Sequence, residues 1–215
     1  MRNYALLSML DVLLPVGKTS SPILSSWCAA KRKKEALFDL VPQEAIRQAS
    51  AFLLFVGDLN RAQKGAALHT EDFYPEGTEN ILISSVDAAL TGQNTLLAAE
   101  SLGYGGVIIG LVRYEASKIA QLFNLPDYTY PVFGMALGKS NQNHAVKPRL
   151  PYEAVVFEEE YCEQLSSVIE AYDRVQAEYA GERAQDTWSQ RLAAQFGQEP
   201  NQAIDQLFKE KKLEK

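Results

Sequence analysis

One segment of the chain, NILISSVDAALTGQNTLLAAESLG over residues 80–103, restricts the possible folds more than any other. Leucine, isoleucine, alanine and other small residues occupy nearly every side of this helical pattern, and Gly103 stands where a helix ends. A helix that is apolar on nearly every side must be buried on nearly every side. In a chain of 215 residues this predicts a central helix, and a second subunit is one way to cover it.

Apolar runs predict the strands, and amphipathic patterns predict further helices. Strands are expected at Phe52–Val56, Val107–Ile109 and Pro131–Leu137, and another in AVVFEEE at 154–160. Helices are expected in AAKRKKEALFDL, in ASKIAQLFNLP, along the stripe Leu165–Tyr179, and around Trp188–Phe196 and Ile204–Leu213; residues 63–78 are expected to form a surface loop. Because strands and helices intermix without regular βαβ alternation, we expect an α+β fold with a mixed sheet flanked by helices.

Charge and cysteine content exclude several classes of function. A net charge of −6 and a sequence pI near 5.1 argue against nucleic-acid binding as the main function. Cys28 and Cys162 form no Cys-x-x-Cys pair, so neither a zinc site nor a redox dithiol is indicated, and we expect free, mostly buried thiols. The first residues form only a weak secretory signal, and no stretch is long and apolar enough to span a bilayer. We therefore expect a cytoplasmic protein that does not bind a membrane.

The usual catalytic sets are missing from the sequence. His69 and His144 lie in polar segments without ligand spacing, so we predict neither a metal site nor a catalytic triad. A chain without an acid–base apparatus is expected when a cofactor supplies the reactivity. We accordingly predict no catalytic side chain.

The glycine-rich segment GYGGVIIG does not match a dinucleotide-binding turn. Such a turn needs a strand before the glycines and a helix after them, whereas here a helix ends at the glycines and a strand follows. The first three glycines are explained by the helix stop and a tight connection into the strand. Gly110 lies beyond that strand, where a missing side chain would permit a flat ligand to approach the backbone.

Two further features suggest ligand binding, although each also has an ordinary structural explanation. Prolines in KPRLP force an extended path, in which Lys147 and Arg149 point to the same side. Such a pair suits a phosphate dianion, but it is also common as solvated surface charge. Gln43 precedes a predicted helix, and its amide has the donors and acceptor to match a flavin pyrimidine edge, or simply faces water at a helix start.

In this order along the chain, AIRQASAFLLFVGDLNR, DAALTGQNTLLAAESLGYGGVIIG, YPVFGMALG, KPRLP and DTWS together resemble the nitroreductase family. The resemblance covers roughly Gln43–Ser189 and is strongest to NADPH-dependent flavin reductases and oxygen-insensitive nitroreductases. It implies an intertwined homodimer with two FMN sites at the dimer interface. It also implies ping-pong two-electron transfer from NAD(P)H through FMN to a small-molecule acceptor.

The resemblance assigns roles to particular residues. Gln43 matches the glutamine that contacts the flavin ring, and Gly110 matches the glycine whose backbone lies against it. Lys147 and Arg149 match the basic pair on the FMN phosphate, and Thr19-Ser20-Ser21 resembles a serine-rich segment that also contacts the cofactor. The pattern departs from the family where Leu111 replaces a second glycine and where Arg183 is the only arginine near the position that holds the NADPH 2′-phosphate.

The resemblance predicts a single nitroreductase-like domain over residues 1–215, with a C-terminal helical extension over 160–215. Over residues 1–42 the N-terminal arm is expected to be shortened or divergent, because the family's His-Arg-Ser-x-Arg arm has no counterpart here. The predicted function is an FMN-dependent NAD(P)H oxidoreductase that reduces nitroaromatics, quinones or free flavin. The alternative is a non-catalytic or cofactor-poor dimer of the same fold that acts as a binding or structural module.

Overall fold

A computed structural model describes residues 23–28, 31–141, 145–183 and 185–214, with the backbone alone for 23–28. Ser20, Ser21 and most of the expected N-terminal arm therefore lie outside the described residues. The chain divides into two compact units. The first unit contains the residues up to Asn141 together with those from Asn201 onward, and the second unit contains the residues between them up to Pro200. The single-domain organisation stays a prediction.

The first unit combines a four-stranded sheet with six helices among its described residues. The strands are β1 (Ile23–Cys28), β2 (Ala51–Asp58), β3 (Gly105–Ile109) and β4 (Thr129–Gly138). The helices are α1 (Lys31–Leu40), α2 (Glu44–Gln48), α3 (Asn60–Ala66), α4 (Thr78–Ser101), α5 (Ala116–Phe123) and α8 (Ala203–Glu210), with a 3-10 turn at Gly110–Arg113.

The sheet has the order β1-β2-β4-β3, and every described ladder is antiparallel. The α+β class is confirmed, but the expected mixed strand directions are wrong for the described strands. The run Phe52–Val56 is buried as predicted, and β4 is buried along most of its length. A continuous apolar run indicates burial on both faces of a sheet but not strand direction, so the pattern left the direction open.

Helix α4 packs on the sheet through small residues. A Cβ atom at Gly92 would lie 2.4 Å from Cζ of Phe133, so only glycine lets the helix come this close to β4. The helix ends as predicted, with Gly103 in the left-handed region at a φ of 76°. Its opposite face exposes large apolar side chains: Leu82 by 55%, Val86 by 46%, Leu90 by 52% and Leu97 by 54%. Burial on nearly every side is thus wrong for a single copy of the chain.

The second unit contains helices α6 (Ser166–Ala180) and α7 (Trp188–Phe196) and 3-10 turns at Tyr152–Ala154 and Gly181–Arg183. The strand expected at 154–160 is wrong, since Val155 and Val156 are exposed and the segment has no strand partner. Two smaller expectations are also wrong. Residues 60–66 form helix α3 at the start of the expected loop, and Cys162 is exposed rather than buried.

None of the described helices combines the length and the apolar character needed to cross a bilayer.

Helix α8 completes the core of the first unit. Leu207 and Leu213 are fully buried or nearly so, and the ring of Phe208 packs edge-on against Tyr130 with centroids 5.0 Å apart. The Nζ atom of Lys211 donates to the carbonyl of Leu125 at 2.6 Å. The residues after Asn201 are therefore part of the first unit's core rather than a loose tail.

We expect Leu207→Ala to lower the free energy of unfolding by about 2–5 kcal/mol, because it removes fully buried apolar volume. Urea unfolding followed by fluorescence measures this change. Leu68→Ala serves as the control, since Leu68 is exposed and its truncation should change stability by no more than about 0.5 kcal/mol. Equal effects of the two substitutions would contradict the placement of α8 in the core.

Candidate functional site

Gln43 occupies the N-cap position of helix α2, as the sequence predicts. Its backbone is extended, and its carbonyl accepts a hydrogen bond from the N–H of Ile46 at 2.9 Å. Ile46 is fully buried, and Lys34 of α1 donates to the carbonyl of Ala49 at 2.6 Å, so both ends of α2 are held. The Gln43 side chain is exposed and makes no hydrogen bond with any described residue. The backbone of Gln43 is thus fixed, and its side-chain amide is available to a ligand.

Gly110 begins the 3-10 turn that follows β3, next to the buried Ile109. The backbone of Gly110 lies close to the guanidinium of Arg113: a Cβ atom on Gly110 would be 3.2 Å from Nη2 of Arg113. Nη1 of Arg113 donates to the carbonyl of Val132 at 2.6 Å, which fixes the guanidinium against β4. The absent side chain at Gly110 therefore leaves room for a planar cationic group, and a ligand reaching this backbone would meet Arg113.

Lys147, Pro148 and Arg149, the basic stretch, are held by helix α6. The carbonyl of Pro148 accepts from the hydroxyl of Tyr172 at 3.1 Å and from Nε2 of Gln176 at 3.0 Å. Upstream, the hydroxyl of Tyr179 donates to the carbonyl of Ala145 at 3.1 Å. These bonds fix the backbone of the basic stretch without using either cationic side chain.

The two cations of the basic stretch have no acidic partner among the described residues. Lys147 and Arg149 are exposed. Within the described part of the chain, the Arg149 head bonds only through Nη1, to the carbonyls of Lys147 at 3.1 Å and Pro148 at 3.4 Å. Two unpaired cations two residues apart on a fixed backbone suit a doubly charged anion. The chemistry of these residues therefore fits the phosphate of FMN.

An aromatic cavity of about 490 Å³ adjoins Arg149 within the second unit. Its other lining residues are mostly apolar: Leu150, Tyr152, Val155, Val156, Tyr172 and Trp188. The ring of Trp188 meets Tyr172 edge-on, with centroids 5.4 Å apart. The guanidinium of Arg149 thus stands at the edge of an apolar space.

The DTWS segment forms the start of helix α7. Thr187 caps it in a reciprocal pair of hydrogen bonds with Gln190. Asp173 of α6 accepts from the hydroxyl of Ser189 at 2.5 Å and from its N–H at 3.0 Å, and these bonds lower the pKa of the Asp173 carboxyl. The segment joins α7 to α6 and thereby seats Trp188 on Tyr172.

Comparison with known proteins decides the family. A sequence model of the nitroreductase family matches residues 18–139, and a model of the C-terminal domain of that family matches residues 147–215. The chain belongs to the nitroreductase family.

Relatives within the nitroreductase family support the same branch. An FMN reductase [NAD(P)H] of Bacillus subtilis is 40% identical over 176 residues, which are 77% of this chain and 70% of that protein. An oxygen-insensitive NADPH nitroreductase of Salmonella typhimurium is 39% identical over 171 residues, 74% of this chain and 67% of that protein. The structure of NADPH:FMN oxidoreductase from Vibrio harveyi complexed with NAD+ superposes with a TM-score of 0.85 at 31% identity, covering 98% of this chain and 89% of that one. The predicted family, branch and α+β nitroreductase-like fold class are confirmed.

Nitroreductase membership leaves the individual site residues as predictions. Gln43 and Gly110 lie in the first unit, and Lys147 and Arg149 lie together in the second.

Three residues with a bearing on the site were not predicted: Arg113, Tyr172 in its hydrogen-bonding role, and Gln176. The four-residue spacing of Tyr172 and Gln176 places them on one helix face, but nothing in the sequence connects that face to Pro148. Arg183 bonds through Nε to the carbonyl of Ala180 at 3.3 Å, so part of its donor capacity is used at the end of α6.

The bonds to Asp173 predict a pH dependence of stability in this nitroreductase. The pKa of the Asp173 carboxyl is lower in the folded protein than in the unfolded chain, where it is about 3.9. The carboxylate therefore stabilises the fold at pH values above about 3.9. This stabilisation is lost as the pH falls from there through the folded-state pKa. Asp173→Asn should therefore lower the urea midpoint at pH 7, and the difference from wild type should shrink towards pH 3.

Asp39→Asn is the matched control, because Asp39 is exposed and makes no hydrogen bond or ion pair with a described residue. A difference between Asp173→Asn and wild type that stays constant from pH 7 to pH 3 would contradict the assignment.

Proposed function

We propose that this protein is an FMN-dependent NAD(P)H oxidoreductase that reduces nitroaromatics, quinones or free flavin by ping-pong two-electron transfer. The observation that supports it most is the pair of cations Lys147 and Arg149, which lie on a fixed backbone and have no acidic partner in the described ranges of the chain. Relatives named FMN reductase and NADPH nitroreductase, each about as similar as the other, support the same chemistry. FMN, when bound, would supply the redox chemistry, with NAD(P)H as the electron donor.

The residues of the chain bind and orient this cofactor rather than react with it. Lys147 and Arg149 hold the phosphate as a point charge and a planar fork. Gln43 offers its free amide to the edge of the flavin ring, and Gly110 lets the ring approach the backbone. Ser20 and Ser21 complete the proposed set. No catalytic side chain is needed in this scheme.

We propose that the active enzyme is a homodimer. Leu82, Val86, Leu90 and Leu97 form one exposed stripe of α4, since their spacings of four and seven residues place them on a single helix face. Val107 and Ile108 of β3 are also large, apolar and nearly half exposed. Exposed apolar surface of this extent is typical of a subunit interface. A second copy of the chain is the proposed partner.

The alternative function, a dimer without FMN that acts as a binding or structural module, is not favoured. The two relatives are named as reductases. The nitroreductase family models match residues 18–139 and 147–215, which contain Gln43 and the basic stretch. The cytoplasmic location stays a prediction.

Arg149→Ala tests the phosphate assignment. Losing a charge-assisted bond to the phosphate should cost about 1.5–3 kcal/mol, which raises the Kd for FMN about 10- to 150-fold. Titration of flavin-free protein, followed by the quenching of flavin fluorescence, measures the Kd. Arg174→Ala removes an exposed arginine of α6 and should leave it unchanged. An Arg149→Ala protein that purifies with a full complement of FMN and an unchanged Kd would refute the assignment.

Leu90→Asp tests the dimer. A carboxylate placed in an apolar interface without a partner should cost about 3 kcal/mol or more, which raises the dimer dissociation constant at least roughly 150-fold. Sedimentation velocity at micromolar concentration should then show monomer where wild type shows dimer. Leu68→Asp, at an exposed leucine outside the α4 stripe, should remain dimeric. Monomeric wild-type protein, or a fully dimeric Leu90→Asp variant, would contradict the proposal.

A further inference from the structure

The described residues of the second unit include almost no buried core, and the side chains that are buried there carry hydrogen-bonding groups. Among its described residues only Tyr172 and Gln176 are buried, each with 7% of its surface exposed. They stand one turn apart on α6, and Nε2 of Gln176 donates to the hydroxyl oxygen of Tyr172 at 2.7 Å. Both side chains also donate to a single acceptor, the carbonyl of Pro148. We call this arrangement the carbonyl clamp.

The carbonyl clamp acts at the one residue that separates the two cations. The orientation of the Pro148 carbonyl sets the peptide plane from which Arg149 emerges. The proline ring restricts the backbone of Lys147 on the other side. Holding this carbonyl therefore fixes the backbone on either side of it, from which both cationic side chains extend.

The clamp also competes with Arg149 for the same oxygen. A carbonyl oxygen has two lone pairs, and the donors of Tyr172 and Gln176, at 3.1 and 3.0 Å, occupy both. The third donor, Nη1 of Arg149, is left at 3.4 Å, where a hydrogen bond is weak. The weak bond to the Pro148 carbonyl is therefore easily given up for an anion, and the bond from Nη1 to the Lys147 carbonyl at 3.1 Å is the one that phosphate binding would replace.

We propose that Tyr172 and Gln176 are positioning residues for phosphate recognition: they fix the Pro148 carbonyl so that Lys147 and Arg149 together bind the phosphate end of the flavin cofactor. This inference rests on the proposed function, because it requires that the basic stretch binds the phosphate. The ring of Trp188 packs against Tyr172, and the hydrogen bond from Ser189 to Asp173 holds Trp188 in that position. Both contacts restrict the movement of Tyr172.

The test compares FMN with riboflavin, which has the same ring but no phosphate. Flavin-free full-length protein is titrated with each flavin, and the ratio of the two Kd values measures phosphate recognition alone. Tyr172→Phe keeps the ring and its packing but removes the donor, and Gln176→Met keeps the approximate shape and removes the amide. Each should raise the Kd for FMN about 3- to 10-fold, the effect of one hydrogen bond, and leave the Kd for riboflavin unchanged.

Two controls separate positioning from general destabilisation. Tyr161→Phe removes an exposed hydroxyl that bonds to no described residue, and it should change neither Kd. In an Arg149→Ala background, Tyr172→Phe should have much less effect on FMN, because the clamp acts through the arginine. Thermal unfolding of each variant reports whether the fold is intact, and Gln176→Met provides a second test if Tyr172→Phe folds poorly.

The outcomes distinguish the inference from the function on which it rests. Wild-type protein that binds FMN no more tightly than riboflavin would overturn the phosphate assignment and the clamp with it. A clear wild-type preference for FMN that survives both Tyr172→Phe and Gln176→Met would overturn the clamp alone. An equal loss of FMN and riboflavin affinity in folded variants would also overturn it, since that result indicates a structural role unrelated to the phosphate.

Discussion

Two like charges side by side are favourable only when an anion lies between them or water surrounds them, and this constraint governs the second unit. Lys147 and Arg149 repel each other and have no acidic partner among the described residues. The fold keeps them adjacent by fixing the main chain, through the hydrogen bonds from Tyr172 and Gln176 to Pro148, rather than by neutralising the side chains. A backbone held in this way loses little further conformational entropy when a phosphate binds.

The first unit supplies the parts proposed to contact the flavin ring, and its rigidity comes from close packing of α4 on the sheet. Gly92 permits the contact with Phe133, whose ring in turn stacks on Phe55 with centroids 4.7 Å apart. This packing uses one face of α4 and leaves the exposed stripe on the opposite face, Leu82, Val86, Leu90 and Leu97, in contact with solvent in a single copy of the chain. The same helix thus stabilises the monomer and presents the surface proposed for the second subunit.

Most of the first unit could be predicted from the sequence because its signals are local. The run at Phe52–Val56, the stop at Gly103 and the N-cap at Gln43 each depend on a few neighbouring residues, and all three are found as expected. Strand direction and the exposed stripe of α4 depend on partners that a local pattern does not specify. Val155 and Val156 were misassigned because apolar character predicts burial, whereas here they line an open cavity. The clamp joins residues 24 and 28 positions apart, so only the folded chain shows it.

The central claim is that two side-chain cations bind the flavin phosphate, and phosphorus NMR of the bound cofactor tests it most directly. The phosphate of free FMN takes up a proton near pH 6, a typical value for a phosphate monoester. Between two cations the doubly charged form is favoured, so the bound resonance should stay at its dianion position from pH 7.5 down to about pH 5. A bound resonance that titrates near pH 6, as the free cofactor does, would mean that the phosphate lies in water and would contradict the account.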